Sequence, residues 1–209
     1  VLSKIVRTLF WMMFLGTIAT LAVYYPTIPE WTFGSLLKIN GFTLLIWATV
    51  TFFSALISSY SHNYLNGFKF QTKFMLLCVA FTFSVMLFVM SNHILILSAS
   101  WLLMGFFMSR LIGVDADWGE AREASKFTLR YFVAGTFFLV VGLLLLAFEL
   151  DTFLINEITT QINLVSSSTI LIAAICLIIA AIIQSAIYPF HRWLLSAMTS
   201  PTPASALMH

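Results

Sequence analysis

Residues 189–209 read PFHRWLLSAMTSPTPASALMH, and this stretch decides the fold. Pro189 follows a long apolar run, lacks a backbone N–H and would clash with the carbonyl of Ser185, four residues earlier. By itself, Pro189 is more typical of an ordinary helix end followed by a loop. The whole pattern favours a proline-broken membrane helix, because transporters use such breaks to place carbonyls and helix ends around ions.

Beyond the break, the chain turns and starts another helix. Pro201 lies in the turn, and Thr202 followed by Pro203 is typical of an N-cap and a first-turn proline. The new helix reaches His209, which titrates near neutral pH and would lie within the membrane. A lone histidine is more often structural, but the position of this one in the pattern predicts a role in an ion pathway.

The composition places the whole chain in a membrane. The sequence is 61% hydrophobic and only 9% charged, and its mean hydropathy is +1.01. No soluble domain of 209 residues could keep that much apolar surface from water, so we predict an all-α polytopic membrane protein with a single transmembrane domain. Six apolar runs of about 17 to 20 residues predict membrane spans, and a seventh span starts at 203–209. The six predicted spans cover residues 9–25, 41–60, 74–90, 94–112, 131–148 and 169–188.

The basic residues predict the orientation of these spans. When the loops are taken alternately, every lysine and arginine except Lys38 falls on one side of the membrane. Basic residues are enriched in cytoplasmic loops, so we expect the N-terminus and the loop 113–130 in the cytoplasm. Lys4 and Arg7 before the first apolar run would also suit a signal peptide, but that run lacks a small-x-small cleavage site.

The longest polar stretch, residues 113–130, carries charges of both signs at helical spacing. Glu123, for example, precedes Lys126 by three residues. One interpretation is a solvated cytoplasmic loop that leads into the next helix. The other is a polar entrance to an ion path, lined by Lys126 and Arg130.

The sequence predicts neither an enzyme active site nor a metal framework. Cys78 and Cys176 lie inside apolar runs and are typical of small packing residues. His62, His93 and His191 are too dispersed to form a zinc site. We therefore expect no cofactor in this chain. His191 lies at the break, where a head-group-facing position and a place in the ion path are both open.

The order PFHxWL…PTPxSALxH is long and chemically unusual, and it carries a family resemblance. On these residues the chain resembles the antiporter-like membrane subunits related to chain L of respiratory complex I and to MrpA, and among them most of all the DabB type. The segment after Trp193 lacks the Pro-Asp that is usual in complex I, which suits the DabB type better. The family builds its pathway from two inverted repeats of five helices. Because the chain starts at Val1 and ends within the motif, we expect a fragment of a longer protein.

The resemblance also implies site residues. His209 matches a histidine in the family's central hydrophilic axis, and a lysine near the position of Lys126 lies in the same axis. Two family charges are missing here. The glutamate that follows Trp101 in complex I subunits is Leu102, and the lysine before the broken-helix proline is Gln184. Losing both partners together is self-consistent, because it leaves no unpaired buried charge.

Gln184 is still polar in the middle of an apolar helix. Its amide can donate and accept hydrogen bonds, so it could hold water in a proton path. Alternatively, it makes an interhelical hydrogen bond, worth about 0.6 kcal/mol on average in membranes.

The resemblance implies a function as the cation-translocating subunit of an inorganic-carbon transporter. Protons or sodium ions would run through the chain and power a large DabA-like partner that resembles zinc β-carbonic anhydrases and converts CO2 to bicarbonate. The zinc would belong to that partner, and the complex would lie in a bacterial plasma membrane. Alternatives are a proton-pumping subunit of complex I (NADH-quinone oxidoreductase), an Mrp-type sodium/proton antiporter subunit, or a scaffold that only anchors a partner.

Overall fold

The computed structural model describes residues 2–115 and 117–208, and most of this part is helical. Six helices, α1 to α5 and α7 in the order below, are long and apolar enough to cross a membrane, which confirms the all-α polytopic prediction. The elements are α1 Leu2–Tyr24, β1 Trp31–Phe33, β2 Leu37–Ile39, α2 Gly41–Tyr64, α3 Gln71–Met90, α4 Ile94–Ile112, α5 Gly119–Leu150, α6 Ile155–Gln161, a 3-10 turn Ile162–Leu164, α7 Ser167–Gln184, α8 Arg192–Ser196, a 3-10 turn Ala197–Thr199 and α9 Thr202–Met208.

The spanning helices pack side by side largely in chain order. Contacts join α1 to α2, α2 to α3, α3 to α4, α4 to α5, and α5 to α7. Phe10 of α1 is fully buried in a cluster with Ala55 of α2 and Met75 of α3. The first helix is therefore an integral member of the bundle.

Glycines allow α5 to approach both of its neighbours closely. A Cβ added to Gly105 of α4 would lie 2.7 Å from the Cβ of Phe132 on α5. A Cβ added to Gly142 of α5 would lie 3.1 Å from the carbonyl oxygen of Ala173 on α7. Such close approach stabilises membrane helix pairs by van der Waals packing, because lipid provides little hydrophobic drive for association.

A small cap closes the end of the bundle at which α2 and α4 begin. Strands β1 and β2 form an antiparallel hairpin there. Asn92, between α3 and α4, joins this hairpin to α6. Its backbone N–H donates to the carbonyl of Leu36 at 2.8 Å, and its side-chain oxygen accepts from the N–H of Asn156 at 3.0 Å. The cap therefore connects three separate loops through one side chain and its backbone.

Two of the helix ends that differ from the predicted spans bear on the site. α5 begins at Gly119, well before the predicted span 131–148, so most of the polar stretch is helix rather than loop. Its charges are exposed and can be hydrated on the helix surface, which lets the helix extend beyond its apolar part. α7 ends at Gln184 rather than at residue 188.

Candidate functional site

The break begins at the end of α7, ahead of the proline that marks it in the sequence. Ala186 adopts a φ of +52°, in the left-handed region, and its N–H donates to the carbonyl of Ile183 at 3.3 Å. The N–H of Ile187 reaches back to the carbonyl of Ile182 at 3.1 Å. This is a Schellman motif, which gives partners to carbonyls that a helix end would leave free. Alanine occupies the position where glycine is usual.

Trp193 fixes the short helix α8 beneath this end. Its side chain is 3% exposed, and its indole Nε1 donates to the carbonyl of Ile183 at 2.9 Å. The same ring packs on Phe132 of α5, with 4.9 Å between ring centroids. One tryptophan therefore connects the end of α7 to α5 and satisfies a backbone oxygen at the break.

The connection between α7 and α8 contains Pro189 and His191. Pro189 is exposed, and His191 is half-buried directly before α8. The imidazole of His191 stacks on Tyr188, with 5.7 Å between ring centroids. Its Nδ1 is buried, and within the part of the chain that the structure describes it has no hydrogen-bond partner. Water is the usual partner of such an atom.

α9 starts at Thr202, the residue that was predicted to be its N-cap. The carbonyl of Pro201 accepts from the N–H of Ser205 at 3.1 Å, so Pro201 stands at the cap and Thr202 is already helical. Pro203 falls in the first turn, where a missing N–H costs no hydrogen bond. The hydroxyl of Thr202 lies 3.3 Å from that of Tyr64, which ties the start of α9 to the end of α2.

Four hydroxyl side chains are buried on α2 and α3, and we call Thr51, Ser54, Ser58 and Thr82 the hydroxyl cluster. The first three share one face of α2 by their spacing of three and four residues. Ser54 and Thr82 hydrogen-bond to each other at 2.8 Å. Ser54 also lines a cavity of about 330 Å³ together with Leu207 of α9. The sequence analysis missed this cluster, although its helical spacing was readable.

A second cavity, of about 600 Å³, lies between the polar end of α5 and the segment that follows the break. It contains the two basic residues that the sequence suggested for an ion entrance, and two acidic residues of the same helix. Its lining residues are Glu120, Glu123, Ala124, Lys126, Phe127, Arg130, Leu195, Ser196 and Thr199.

The predicted site residues thus fall into two groups. Lys126 and Arg130 share the larger cavity. Gln184 is half-buried at the last position of α7, and His191 lies further along the same break, outside the lining of that cavity. His209 lies outside the described residues, so its role stays a prediction. Within residues 2–115 and 117–208, no group of three metal-ligating side chains comes together.

The structure also shows the surroundings of Leu102, which stands where the family has a glutamate. Leu102, at the position of the family glutamate, is 39% exposed on α4. Its neighbour Trp101 has a buried Nε1 that lacks a hydrogen-bond partner among the described residues. The buried hydroxyl of Ser98, one turn earlier on α4, lacks one there as well. The sequence alone did not indicate that one turn of α4 carries two buried polar atoms without hydrogen-bond partners in the described part.

Comparisons with known proteins match this arrangement to one family. A family model described as NADH:quinone oxidoreductase/Mrp antiporter, TM, matches residues 91–209. DabB2 of Halothiobacillus neapolitanus, described as a probable inorganic carbon transporter subunit, is 29% identical over 83% of this chain and 32% of its own length. A Na(+)/H(+) antiporter chain of Alkalihalophilus pseudofirmus is 28% identical over 88% of this chain and 23% of its own length.

Respiratory proteins match as well. NADH-ubiquinone oxidoreductase chain 5 of Yarrowia lipolytica is 28% identical over 82% of this chain and 26% of its own length. The structure superposes with a TM-score of 0.86 on a chain of the membrane-bound sulfane sulfur reductase, an archaeal respiratory membrane complex. That likeness covers 97% of this chain and 43% of the other at 16% identity, and it shows a shared fold. The chain thus spans about a third or less of the length of these curated relatives.

Proposed function

Because the chain belongs to the NADH:quinone oxidoreductase/Mrp antiporter transmembrane family, we propose that it forms part of a cation pathway that energises inorganic-carbon uptake. Protons or sodium ions would move through the region of the break, and a DabA-like partner would use that flow to drive the conversion of CO2 to bicarbonate. The similarity to DabB-named proteins over most of the chain supports this choice of substrate.

The position of Gln184 is the observation that supports the proposal most directly. It stands at the last position of α7, half-buried, where the backbone leaves the helix in a Schellman motif. A neutral amide there can hold water without changing charge, whereas a lysine at this position would itself exchange protons. A membrane chain that passes cations down their gradient to drive a partner needs a group that holds water without changing its own charge. The missing acidic partner at Leu102 is consistent with it.

The proposed route leads from the break toward α9. His191 offers at the break an Nδ1 that has no partner among the described residues, and Ser54 of the hydroxyl cluster lines the cavity beside α9. Hydroxyls accept and donate hydrogen bonds, so Ser54 and Thr82 can pass water-borne protons or coordinate a sodium ion. His209, the residue that follows α9 in the sequence, would complete the proposed route.

The partner and the location follow from the same proposal. The zinc chemistry would reside in the DabA-like partner, and this chain would provide the membrane pathway. The complex would lie in a bacterial plasma membrane, with the N-terminus and the Lys126 region in the cytoplasm, because basic residues concentrate on that side.

A second candidate is a role in a sodium/proton antiporter. The similarity to the Na(+)/H(+) antiporter chain of Alkalihalophilus pseudofirmus covers 88% of this chain at nearly the same identity as the DabB2 likeness. In that case cation exchange would be the whole activity, and no carbon-handling partner would be required.

Purification of the full-length protein from its native membrane tests the proposal. The protein would be isolated in mild detergent, its partners identified by mass spectrometry, and its metals measured. We expect one large partner that contains zinc. A flavin and iron–sulfur assembly, or a set of small antiporter proteins without zinc, would contradict the proposal.

A further inference from the structure

The larger cavity has a charge order along α5 that matches one class of phospholipid. Glu120 and Glu123 lie toward the N-terminus of the helix, and Lys126 and Arg130 lie toward its apolar part. With a rise of about 1.5 Å per residue, the inner charges of the two pairs, Glu123 and Lys126, are separated along the axis by roughly 4.5 Å. All four side chains are exposed, and all four line the same cavity.

Helix packing indicates how deep these four charged residues lie relative to the membrane. Gly113, which ends α4, lies beside Ser125 of α5, since a Cβ added to it would be 2.7 Å from the serine Cβ. Lys126, the next residue, is therefore level with the end of a spanning helix. The two glutamates lie further from the membrane than that level, and Arg130 lies closer to the membrane interior.

An apolar groove continues from the cavity along the same helix. It is a shallow surface groove of about 530 Å³ that is formed by α5 alone and opens to the outside of the bundle. Arg130 lines both the cavity and the groove, so the two are adjacent. The remaining lining of the groove is apolar, from Leu129, Val133, Ala134, Phe137 and Phe138. The groove has the chemistry that a lipid acyl chain requires, directly below two cations.

We propose that the cavity and the groove together bind a phospholipid with an ethanolamine head group. Its phosphate lies between Lys126 and Arg130, its ammonium group, one two-carbon linker away, reaches outward to Glu123 with Glu120 one turn beyond, and one acyl chain lies in the groove. The hydroxyls of Ser196 and Thr199 already donate to backbone carbonyls, so the phosphate is held mainly by the two cations. This inference goes beyond ion translocation and does not depend on it.

The order of the charges selects this head group over others. In a phosphatidylethanolamine the phosphate lies next to the acyl region and the ammonium lies further out, as the basic and acidic pairs do here. Phosphatidylglycerol places no cation near the two carboxylates. Phosphatidylcholine carries a quaternary ammonium without N–H donors, so it cannot hydrogen-bond to them. Lys126 and Arg130 are thereby assigned to lipid binding rather than to an ion entrance.

Native mass spectrometry of the full-length protein tests the proposal. The protein, stripped of lipid in detergent, would be titrated separately with phosphatidylethanolamine, phosphatidylcholine and phosphatidylglycerol. We expect one saturable site that prefers phosphatidylethanolamine over phosphatidylcholine by about fivefold or more, the effect of one hydrogen bond that choline cannot make. A tighter site for phosphatidylglycerol, or no saturable site, would overturn the proposal.

Variants separate the parts of the site. The double change Glu120→Gln and Glu123→Gln should remove the preference for ethanolamine over choline, whereas Lys126→Gln with Arg130→Gln should weaken all three lipids. Ala134→Trp should also weaken all three by filling the groove. Lys69→Gln, an exposed cation outside the cavity, is the matched control and should change nothing. Circular dichroism establishes that each variant folds. An unchanged ethanolamine preference in the glutamate double variant would contradict the proposed head-group contact.

Discussion

The indole Nε1 of Trp193 donates a 2.9 Å hydrogen bond to the carbonyl of Ile183, ten residues earlier in the chain. That carbonyl also accepts the N–H of Ala186 in the Schellman motif. The bond spans the whole break, so it sets where α8 lies relative to the end of α7. The geometry of the broken helix therefore depends on a side chain as well as on its proline.

Trp193→Phe should loosen the break. The phenyl ring keeps most of the packing on Phe132 but lacks the N–H that reaches Ile183, so we expect a loss of about 1 kcal/mol in unfolding free energy. Thermal unfolding in detergent measures it. Trp118→Phe is the control, because Trp118 is exposed and caps α5 without a side-chain hydrogen bond. Equal stability of the two variants would contradict the role of the bond.

Gly105→Ala should separate α4 from α5. The added methyl would lie 2.7 Å from both the Cβ and the Cγ of Phe132, and these atoms cannot move away without shifting the helix. We expect a destabilisation of about 1 to 3 kcal/mol, as for other overpacked sites. Gly16→Ala, whose added methyl would meet no side chain or other helix within 4 Å in the described part of the chain, should leave the melting temperature unchanged or slightly raised. A neutral Gly105→Ala would show that the two helices are less tightly packed than the structure indicates.

Ala186→Gly should stabilise the end of α7. Alanine in the left-handed region costs about 1 to 2 kcal/mol, and glycine adopts it freely. The lost methyl packs only at the edge of a cluster around Trp193, so the relief of strain should exceed the lost contact. Ala181→Gly, inside the last turns of α7, should instead destabilise by about 0.5 to 1 kcal/mol. In thermal unfolding, the melting temperature should rise for Ala186→Gly and fall for Ala181→Gly. A lower melting temperature in both variants would rule out the strain at Ala186.

Single cysteines test the proposed orientation. In a background of Cys78→Ala and Cys176→Ala, Asn66→Cys and Ser35→Cys place thiols in exposed loops on opposite sides of the bundle. A membrane-impermeant maleimide applied to intact cells should label position 35 and not position 66. Labelling in the reverse order would overturn the assignment of the N-terminus to the cytoplasm.

The sequence was sufficient for the fold class, but it marked the break at Pro189, whereas α7 already ends at Gln184. Apolar runs of bilayer length leave no other solution than spanning helices, since every backbone group must be satisfied within lipid. The start of α5 at Gly119 was harder to predict, because a hydrated charged helix and a hydrated loop have similar amino-acid compositions. Hydrophobicity marks where the membrane ends, but it does not mark where a helix ends.

The details of the site depended on contacts that no local pattern encodes. The Schellman end of α7 uses Ala186, and an alanine gives no signal for a left-handed residue. The bond from Trp193 to Ile183 joins two elements across the break, and no helical spacing in the sequence indicates it. The hydroxyl cluster, in contrast, was readable from the spacing of Thr51, Ser54 and Ser58, and was overlooked because each hydroxyl alone is unremarkable in a membrane helix.

Uptake of labelled bicarbonate tests the central claim most directly. Cells that make the full-length protein with its native partner would be compared with and without an uncoupler or external sodium, for wild type, Gln184→Leu and the exposed control Gln161→Leu. The account predicts accumulation that collapses when the driving cation gradient is removed, is strongly reduced by Gln184→Leu and is unaffected by Gln161→Leu. Accumulation that is indifferent to both gradients, or a Gln184→Leu variant that transports like wild type, would contradict it.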